Sequence, residues 1–320
     1  TAVDKALQLG YETWAGIRAS SSRTYLQDER IKFIDLNYGD KEKLKGQLLE
    51  FAGKYGRFHH IVHNAGITKA RHKADFDRVN HEQVRNFVDA LIETDTLPDQ
   101  FIFMSSLSIM GAGDEANYTP FRHDALPNPN TAYGKSKLKT ENYLKGLPDF
   151  PYLILRPTGV YGPRDRDYLI LMKAVKRGLS VGVGFRKQIL TFIHAEDLVK
   201  VVFRCIERGI IRKEYFVADG ENYTGSEFNA IVQQALQKRH LFRITLPLWL
   251  VKPAALLSET FAGLTGRTST FNTDKYRIMK QRNWSCDITP LQHDLDFQPT
   301  YRLKEGVEAT VKWYREKGWL

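Results

Sequence analysis

The chain has 320 residues, 42% of them hydrophobic and 26% charged, with a formal net charge of +10. That composition belongs to an ordinary globular protein with a sizeable core and excludes collagen-like, low-complexity and disordered chains. Lysines and arginines are spread along the chain among acids, which argues against a nucleic-acid stripe and for a solvated basic surface suited to attracting a phosphorylated cofactor.

Thr1 to Gly10, with Val3, Ala6 and Leu7 in helical period, reads as a helix, and Glu12 to Arg18 as a buried strand. Ile31 to Leu36 predicts a second strand. A helix capped by Asp40 follows, with Leu44, Leu48, Phe51, Ala52 and Tyr55 on one face. The short strand through Ile61 and Val62 ends in His63-Asn64-Ala65-Gly66. An amphipathic helix carrying Val84, Phe87, Val88 and Leu91 precedes the strand Phe101 to Met104. A helix from about Ala132 to Leu144, the strand Tyr152 to Leu155 and a long helix through Leu169, Met172 and Val175 continue the alternation.

Strand–helix alternation with short connections predicts an α/β fold, a doubly wound parallel sheet whose ligands sit at the strand C-termini. Beyond Gly220 the pattern becomes more helical, with a capped helix at Ser226 to Arg239 and a last one around Val307, Val311 and Tyr314. The expected division is a dinucleotide-binding Rossmann domain of residues 1–157 with 186–219, and a smaller, mostly helical substrate lobe of residues 158–185 with 220–320. Gly182-Val183-Gly184 is expected to turn between the lobes. Leu246 to Leu264 is weakly polar, but Lys252, Pro253 and Glu259 make it a poor membrane span, and it is expected to cover an apolar pocket.

Tyr133 and Lys137, four residues apart, fall on one helix face and can act at one point. A tyrosine serving as a base near neutral pH needs its pKa lowered by roughly 3 units, about 4 kcal/mol of preference for the phenolate, which a nearby ammonium group helps to supply. Ser106 closes the strand Phe101 to Met104 and presents a hydroxyl at the sheet's carboxyl edge, where it can bond a substrate oxygen while Tyr133 exchanges the proton. His59, His60 and His63 cluster near a strand but alternate faces and have no partner at metal spacing, so no metal site is expected. Cys205 and Cys286 make neither a disulfide framework nor a metal cluster, and a reducing cytosol is the expected setting.

With these motifs in order, the sequence resembles the extended short-chain dehydrogenase/reductase family, also called the NAD-dependent epimerase/dehydratase family, over nearly the whole chain. The resemblance implies Ser106, Tyr133 and Lys137 as the catalytic set. It implies cofactor contacts from Asn64, Ala65 and Gly66, from Asn80 at the opening of the next helix, from Ser105, and from Pro157 in Leu155-Arg156-Pro157-Thr158-Gly159. Asp35 with Leu36 is similar to the family's adenine-side position, and His194 in Phe192-Ile193-His194-Ala195-Glu196-Asp197 matches a substrate-side motif. Arg18, in the run Ala15 to Ser20 at the end of the first strand read here, favours the 2′-phosphate of NADP over the ribose of NAD. The family's opening strand and glycine-rich turn precede the kind of helix read at Thr1 to Gly10, so a segment upstream of Thr1 is expected.

Nucleotide-sugar members of the family carry an arginine ahead of the strand entering the histidine motif, and here the run is Gln188-Ile189-Leu190-Thr191-Phe192. Together with Leu246 to Leu264, Trp284 to Asp287, Trp313-Tyr314 and Gly318 to Leu320, this places the resemblance nearer the hydroxysteroid and flavonol-type reductases. Arg164, Arg186 and Lys187 remain able to bind an anion. The expected function is an NAD(P)-dependent oxidoreductase or epimerase acting on a small molecule at a carbinol or carbonyl carbon, without a nucleic-acid partner or membrane span, as a homodimer. A nucleotide-sugar epimerase or dehydratase, and a non-catalytic dinucleotide sensor, are the alternatives.

Overall fold

A computed structural model describes residues 2–18, 20–265 and 272–320, with side chains described to 261 in the stretch that ends at 265. Ala19 and the side chains of 262–264, which belong to two of the runs read above, lie outside the described residues. In chain order the elements are α1 (Ala2–Gln8), β1 (Trp14–Ile17), β2 (Lys32–Asp35), α2 (Lys41–Tyr55), β3 (His60–His63), α3 (Lys73–Asp77), a π-helical turn (Arg78–Glu82) running into α4 (Gln83–Glu93), and β4 (Gln100–Met104). A 3-10 turn (Leu107–Ile109) leads to α5 (Ala132–Gly146), β5 (Tyr152–Pro157), β6 (Gly159–Tyr161), α6 (Asp167–Lys176), β7 (Leu179–Val183) and β8 (Phe192–His194). Then come α7 (Ala195–Glu207), β9 (Lys213–Val217), α8 (Gly225–Ala235), β10 (Phe242–Leu246), α9 (Leu248–Thr265), α10 (Thr273–Lys280), α11 (Thr289–Leu295) and α12 (Leu303–Glu316).

The central sheet is parallel, in the order β3-β4-β5-β9. Every residue of β5 is buried, as expected for an interior parallel strand covered on both faces. On one face α2, α4 and α5 contribute Leu44, Leu48, Phe87, Leu91 and Leu144, which pack with Phe101, Phe103 and Ile154. On the other, α7 and α11 bring Val201, Cys205, Leu291 and Leu295 against Ile102, Leu153 and Leu155. Each such side chain contributes about 1.5–3 kcal/mol by leaving water. A third cluster joins Tyr161, Met172, Phe192, Phe228, Val232, Val307 and Tyr314 from β6, α6, β8, α8 and α12.

β1 and β2 form a separate parallel pair, and among the described residues no ladder joins β1 to β3. Their relative direction is still defined by aromatic contacts. Tyr11, ahead of β1, meets His60 at the start of β3 with ring centroids 6.3 Å apart. Tyr38, whose hydroxyl faces Gly16 near the end of β1, meets His63 at the end of β3 at 5.8 Å. The two strands therefore run the same way, and their carboxyl ends share one edge.

The expected helices and strands are present, with three differences. Thr224, not Ser226, caps α8, because its capping box with Glu227 satisfies first-turn N–H groups from two residues earlier in the chain. Gly182 and Val183 lie inside β7, hydrogen-bonded in register to β10, and the chain turns only at Gly184, whose φ of +76° suits glycine. The weakly polar stretch runs from the last residue of β10 through α9, and much of its described apolar surface faces solvent instead of covering a pocket. No helix among the described residues is long and apolar enough to cross a membrane.

His63 is sealed among Phe101, Phe103, Phe87 and Tyr38. Burial, with the Lys137 charge as a smaller contribution, drops its pKa from 6.5 to about 3. The folded value lies below the unfolded one, so the unfolded chain binds the extra proton between them; stability is full above pH 6.5 and declines as pH falls toward 3. His63→Phe is expected to shrink the loss in unfolding free energy between about pH 7 and about pH 4 by about 3 kcal/mol, read by urea denaturation at both pH values. An unchanged loss would show that His63 does not drive it.

Candidate active site

Parallel strands deliver their C-termini to one edge, and the residues singled out in the sequence gather there. Ser106 follows β4 with extended backbone, φ −164°, and caps the 3-10 turn: its Oγ accepts from the Ser108 N–H at 3.1 Å and donates to Ser108 Oγ at 3.1 Å. Tyr133 stands in the first turn of α5. That turn is satisfied twice, by the Thr131 hydroxyl accepting from the Gly134 N–H at 3.0 Å and by the Asp274 carboxylate of α10 accepting from the Ala132 N–H at 2.8 Å.

Gly134 explains how α5 comes so close to the turn after β4. A Cβ at this position would overlap the Ser108 carbonyl oxygen and stand 3.1 Å from the Pro129 side chain. The approach brings Tyr133 up to the turn that carries Ser106. Burial raises the Tyr133 pKa, and the Ser106 hydroxyl works in the opposite direction. The Tyr133 ring also meets Phe76 of α3 edge-on at 6.2 Å.

Lys137, one turn on, is buried; its ammonium donates to the Met104 carbonyl at 2.7 Å and lies 4.7 Å above the Phe103 ring. Burial pulls its pKa from 10.5 to about 8, while the Glu141 charge another turn along works to raise it. Asn80, fully buried in the π-helical turn, ties down the loop after β3: its Oδ1 accepts from the Ile67 N–H at 2.8 Å and its Nδ2 donates to the Ile67 carbonyl at 3.0 Å and to Ser136 Oγ at 3.1 Å. Such a turn widens the helix and frees it to bend at a functional edge.

The Asn64-Ala65-Gly66 loop thereby becomes an exposed backbone shelf. A Cβ on Gly66 would sit 2.9 Å from Asn80 Oδ1 and 3.4 Å from the Lys137 ammonium. An open shelf with a cation beneath it and a tyrosine–serine pair beside it fits the ribose and nicotinamide end of a dinucleotide. Pro157 ends β5, buried beside Val217 at the same edge. Arg18 is exposed just past β1, and Asp35 is exposed at the end of β2 with Leu36 buried behind it.

The sequence reading missed a buried ionic network behind Ser106. Glu141 accepts from Ser105 Oγ at 2.5 Å and from the Nε and Nη2 edge of the Arg156 guanidinium, with the shortest contact 2.6 Å; Arg156 also reaches Glu214 at 2.8 Å. The four-residue repeat of Tyr133, Lys137 and Glu141 puts Glu141 on the same face of α5, but its partners Ser105 and Arg156 lie outside that helix and leave no local signal. The network locks α5 to β4 and β5, and a buried pair of this kind costs far more to break than to keep.

Two anticipated substrate residues sit elsewhere. Arg164, at φ +73°, lies 3.6 Å from the Asp4 carboxylate and 4.3 Å over the Tyr25 ring. His194 is buried; its Nδ1 caps α7 by accepting from the Glu196 N–H at 3.4 Å, and its ring packs 4.2 Å from Tyr301. Both placements brace loops.

Gly134→Ala is expected to destabilise the protein by about 1–3 kcal/mol through the forced overlap, whereas Gly146→Ala, in open space at the end of the same helix, stays within about 0.5 kcal/mol. Chemical denaturation of the two variants compares them; equal effects would remove the close-approach account.

Comparison with known proteins places this arrangement. A model of the NAD dependent epimerase/dehydratase family matches residues 1–218. A ceramide reductase of Caulobacter vibrioides is 28% identical over 262 residues, covering 81% of this chain and 75% of that protein. A sterol-4-alpha-carboxylate 3-dehydrogenase of Saccharomyces cerevisiae is 20% identical over 312 residues, covering 91% and 88%. Among solved structures, a UDP-glucose 4-epimerase of Thermotoga maritima shares the fold, with a TM-score of 0.77 over 99% of this chain and 94% of that one at 18% identity. The matched region contains the Asn64 to Gly66 shelf, Ser106, Tyr133, Lys137 and all four strands of the central sheet, and the chain belongs to the NAD-dependent epimerase/dehydratase family, as an NAD(P)-dependent enzyme of the oxidoreductase and epimerase type.

Proposed function

We propose that the protein is an NADP-preferring oxidoreductase that interconverts a carbonyl and an alcohol on an uncharged, largely apolar substrate. The observation that carries this reading is the packing of the α5 turn holding Tyr133 onto the turn that carries Ser106, with Lys137 fastened to the end of β4 beneath the exposed Asn64 to Gly66 shelf. When bound, the nicotinamide supplies or takes the hydride. In the reducing direction Tyr133, held neutral by burial, gives its hydroxyl proton to the substrate oxygen as the carbon gains hydride. Ser106 donates a hydrogen bond to that oxygen and orients it. Lys137, largely charged at neutral pH with its pKa near 8, offsets the negative charge left on Tyr133 and can bond the ribose hydroxyls. Asn80 and the Glu141–Arg156 pair hold the shelf and the helix in place.

The substrate class rests on charge. Gln188, in the position that the nucleotide-sugar resemblance would give to an arginine, is neutral and spends its amide on the Met279 and Gln281 carbonyls at 3.3 and 2.6 Å. Arg164 is engaged with Asp4 and Tyr25. Two relatives, by their names a ceramide reductase and a sterol dehydrogenase, act on lipids. NADP preference rests on Arg18, exposed at the end of β1. The reading takes residues 1–157 with 186–219 as the cofactor domain and 158–185 with 220–320 as the substrate lobe, supported by the separate apolar cluster around Tyr161, Phe228 and Val307. It includes a homodimer and a cytosolic setting, in keeping with the resemblance and with two free cysteines.

Full-length protein screened for NADPH and NADH oxidation against ketosteroids, long-chain ketones, small aldehydes and nucleotide sugars tests the substrate class, and turnover on nucleotide sugars alone would overturn it. Tyr133→Phe is expected to lower kcat by about 10²–10⁴ with NADPH binding retained, measured by steady-state kinetics and fluorescence titration; wild-type turnover would refute the proton-transfer role. Arg18→Glu is expected to weaken NADPH by about tenfold or more while leaving NADH nearly unchanged. Equal losses for the two would remove the basis for cofactor preference.

A further inference from the structure

α9 turns its apolar side outward. Val251 and Ala255 are buried against the protein, whereas Trp249 is 73%, Leu256 47%, Leu257 71% and Phe261 67% exposed, with Leu250 and Pro253 also open to solvent. At 100° per residue these six positions fall within an arc of about 140°, a continuous apolar stripe on the solvent side of the helix. A helix that merely closed a core would carry the reverse pattern, and exposed large apolar side chains in one contiguous stripe mark a surface that meets something apolar.

The surroundings identify what that is. Lys252 borders the stripe on the helix itself, and Arg243 of β10 and Arg186 after β7 are exposed alongside the chain leading into it. Gly184, two residues before Arg186, hydrogen-bonds the Leu246 carbonyl at 2.9 Å and lies against Leu248, so the exposed Phe185-Arg186 tip sits beside the start of α9. Glu259, the acid of this helix, is half-buried on the inner side and accepts from the Thr273 N–H at 3.1 Å. Cations bordering a Trp- and Leu-rich stripe, on a helix too polar to span, are the pattern of a helix lying in the plane of a bilayer interface with anionic headgroups. Pro253 removes the N–H that would bond the Trp249 carbonyl, which leaves that oxygen free to face interfacial water.

We propose that α9 with the adjoining Phe185-Arg186 tip is a monotopic docking face that seats the protein on an anionic lipid bilayer. The helix also reaches the candidate active site: Glu259 anchors the start of α10, and Asp274 of α10 accepts from the Ala132 N–H beside Tyr133. These contacts link the docking helix to the first turn of the helix that carries Tyr133. This inference stands apart from the reaction proposed above, because membrane binding requires no turnover.

Sedimentation of the full-length chain with phosphatidylcholine vesicles, with and without phosphatidylglycerol, reads it directly. Expected is stronger binding to the anionic vesicles that weakens with added salt. Trp249→Ser with Leu257→Ser, both exposed, is expected to reduce the bound fraction about tenfold or more with an unchanged thermal transition. Arg243→Glu with Lys252→Glu should abolish the preference for phosphatidylglycerol. Equal binding to both vesicle types, no binding at low salt, or serine variants that bind as the wild type does would overturn the proposal. So would a dimer in gel filtration that the serine pair converts to monomer, since a second copy would then cover the face.

Discussion

The structure hangs on the close approach of α5 to the end of β4. Because residue 134 has no side chain, the first turn of the helix rests directly on the Ser108 backbone, and because Lys137 reaches the Met104 carbonyl, the next turn is fastened to the strand itself. Tyr133 and Ser106 are thus positioned by backbone packing and not by their own flexible side chains. A site held this way tolerates little displacement, since reacting groups must be aligned to within fractions of an ångström.

Behind that contact, charge is placed where water is scarce. Glu141 and Arg156 satisfy one another in the core and also take up Ser105, the neighbour of Ser106. Lys137 is drawn toward neutrality by burial yet kept charged by Glu141, a balance that leaves an ammonium group available near neutral pH without a carboxylate pairing directly against it. His63, on the far side of Phe103, is driven to its neutral form by the same burial. The apolar packing of the sheet therefore tunes the titrating groups around the site as well as holding the fold.

The elements around this centre have distinct characters. The loop after β3 is open and tied by Asn80, a shape that admits a flat ligand without rearrangement. α9 and β10 carry outward-facing apolar side chains, and α9 is linked to α5 through the α10 start and Asp274. Surface chemistry on that helix can thus vary while Ser106, Tyr133 and Lys137 keep their geometry.

Much of this could be read from residue order. Alternating apolar strands and amphipathic helices determined the parallel sheet, and the four-residue spacing of Tyr133 and Lys137 with Ser106 at a strand end determined the catalytic candidates, because both depend on local periodicity. Asp40 announced its helix through capping chemistry that acts within three residues. Other features required the folded chain. Glu141 meets Ser105 and Arg156 across separations that no local pattern encodes, and Arg164 turns to Asp4 because of a left-handed backbone and a neighbour 160 positions away in the chain. His194 carried a binding motif yet became a buried cap, and the apolar stretch at α9 read as a cover for a pocket until its direction was known. Periodicity tells which side chains share a face; only tertiary packing decides whether that face looks inward or out.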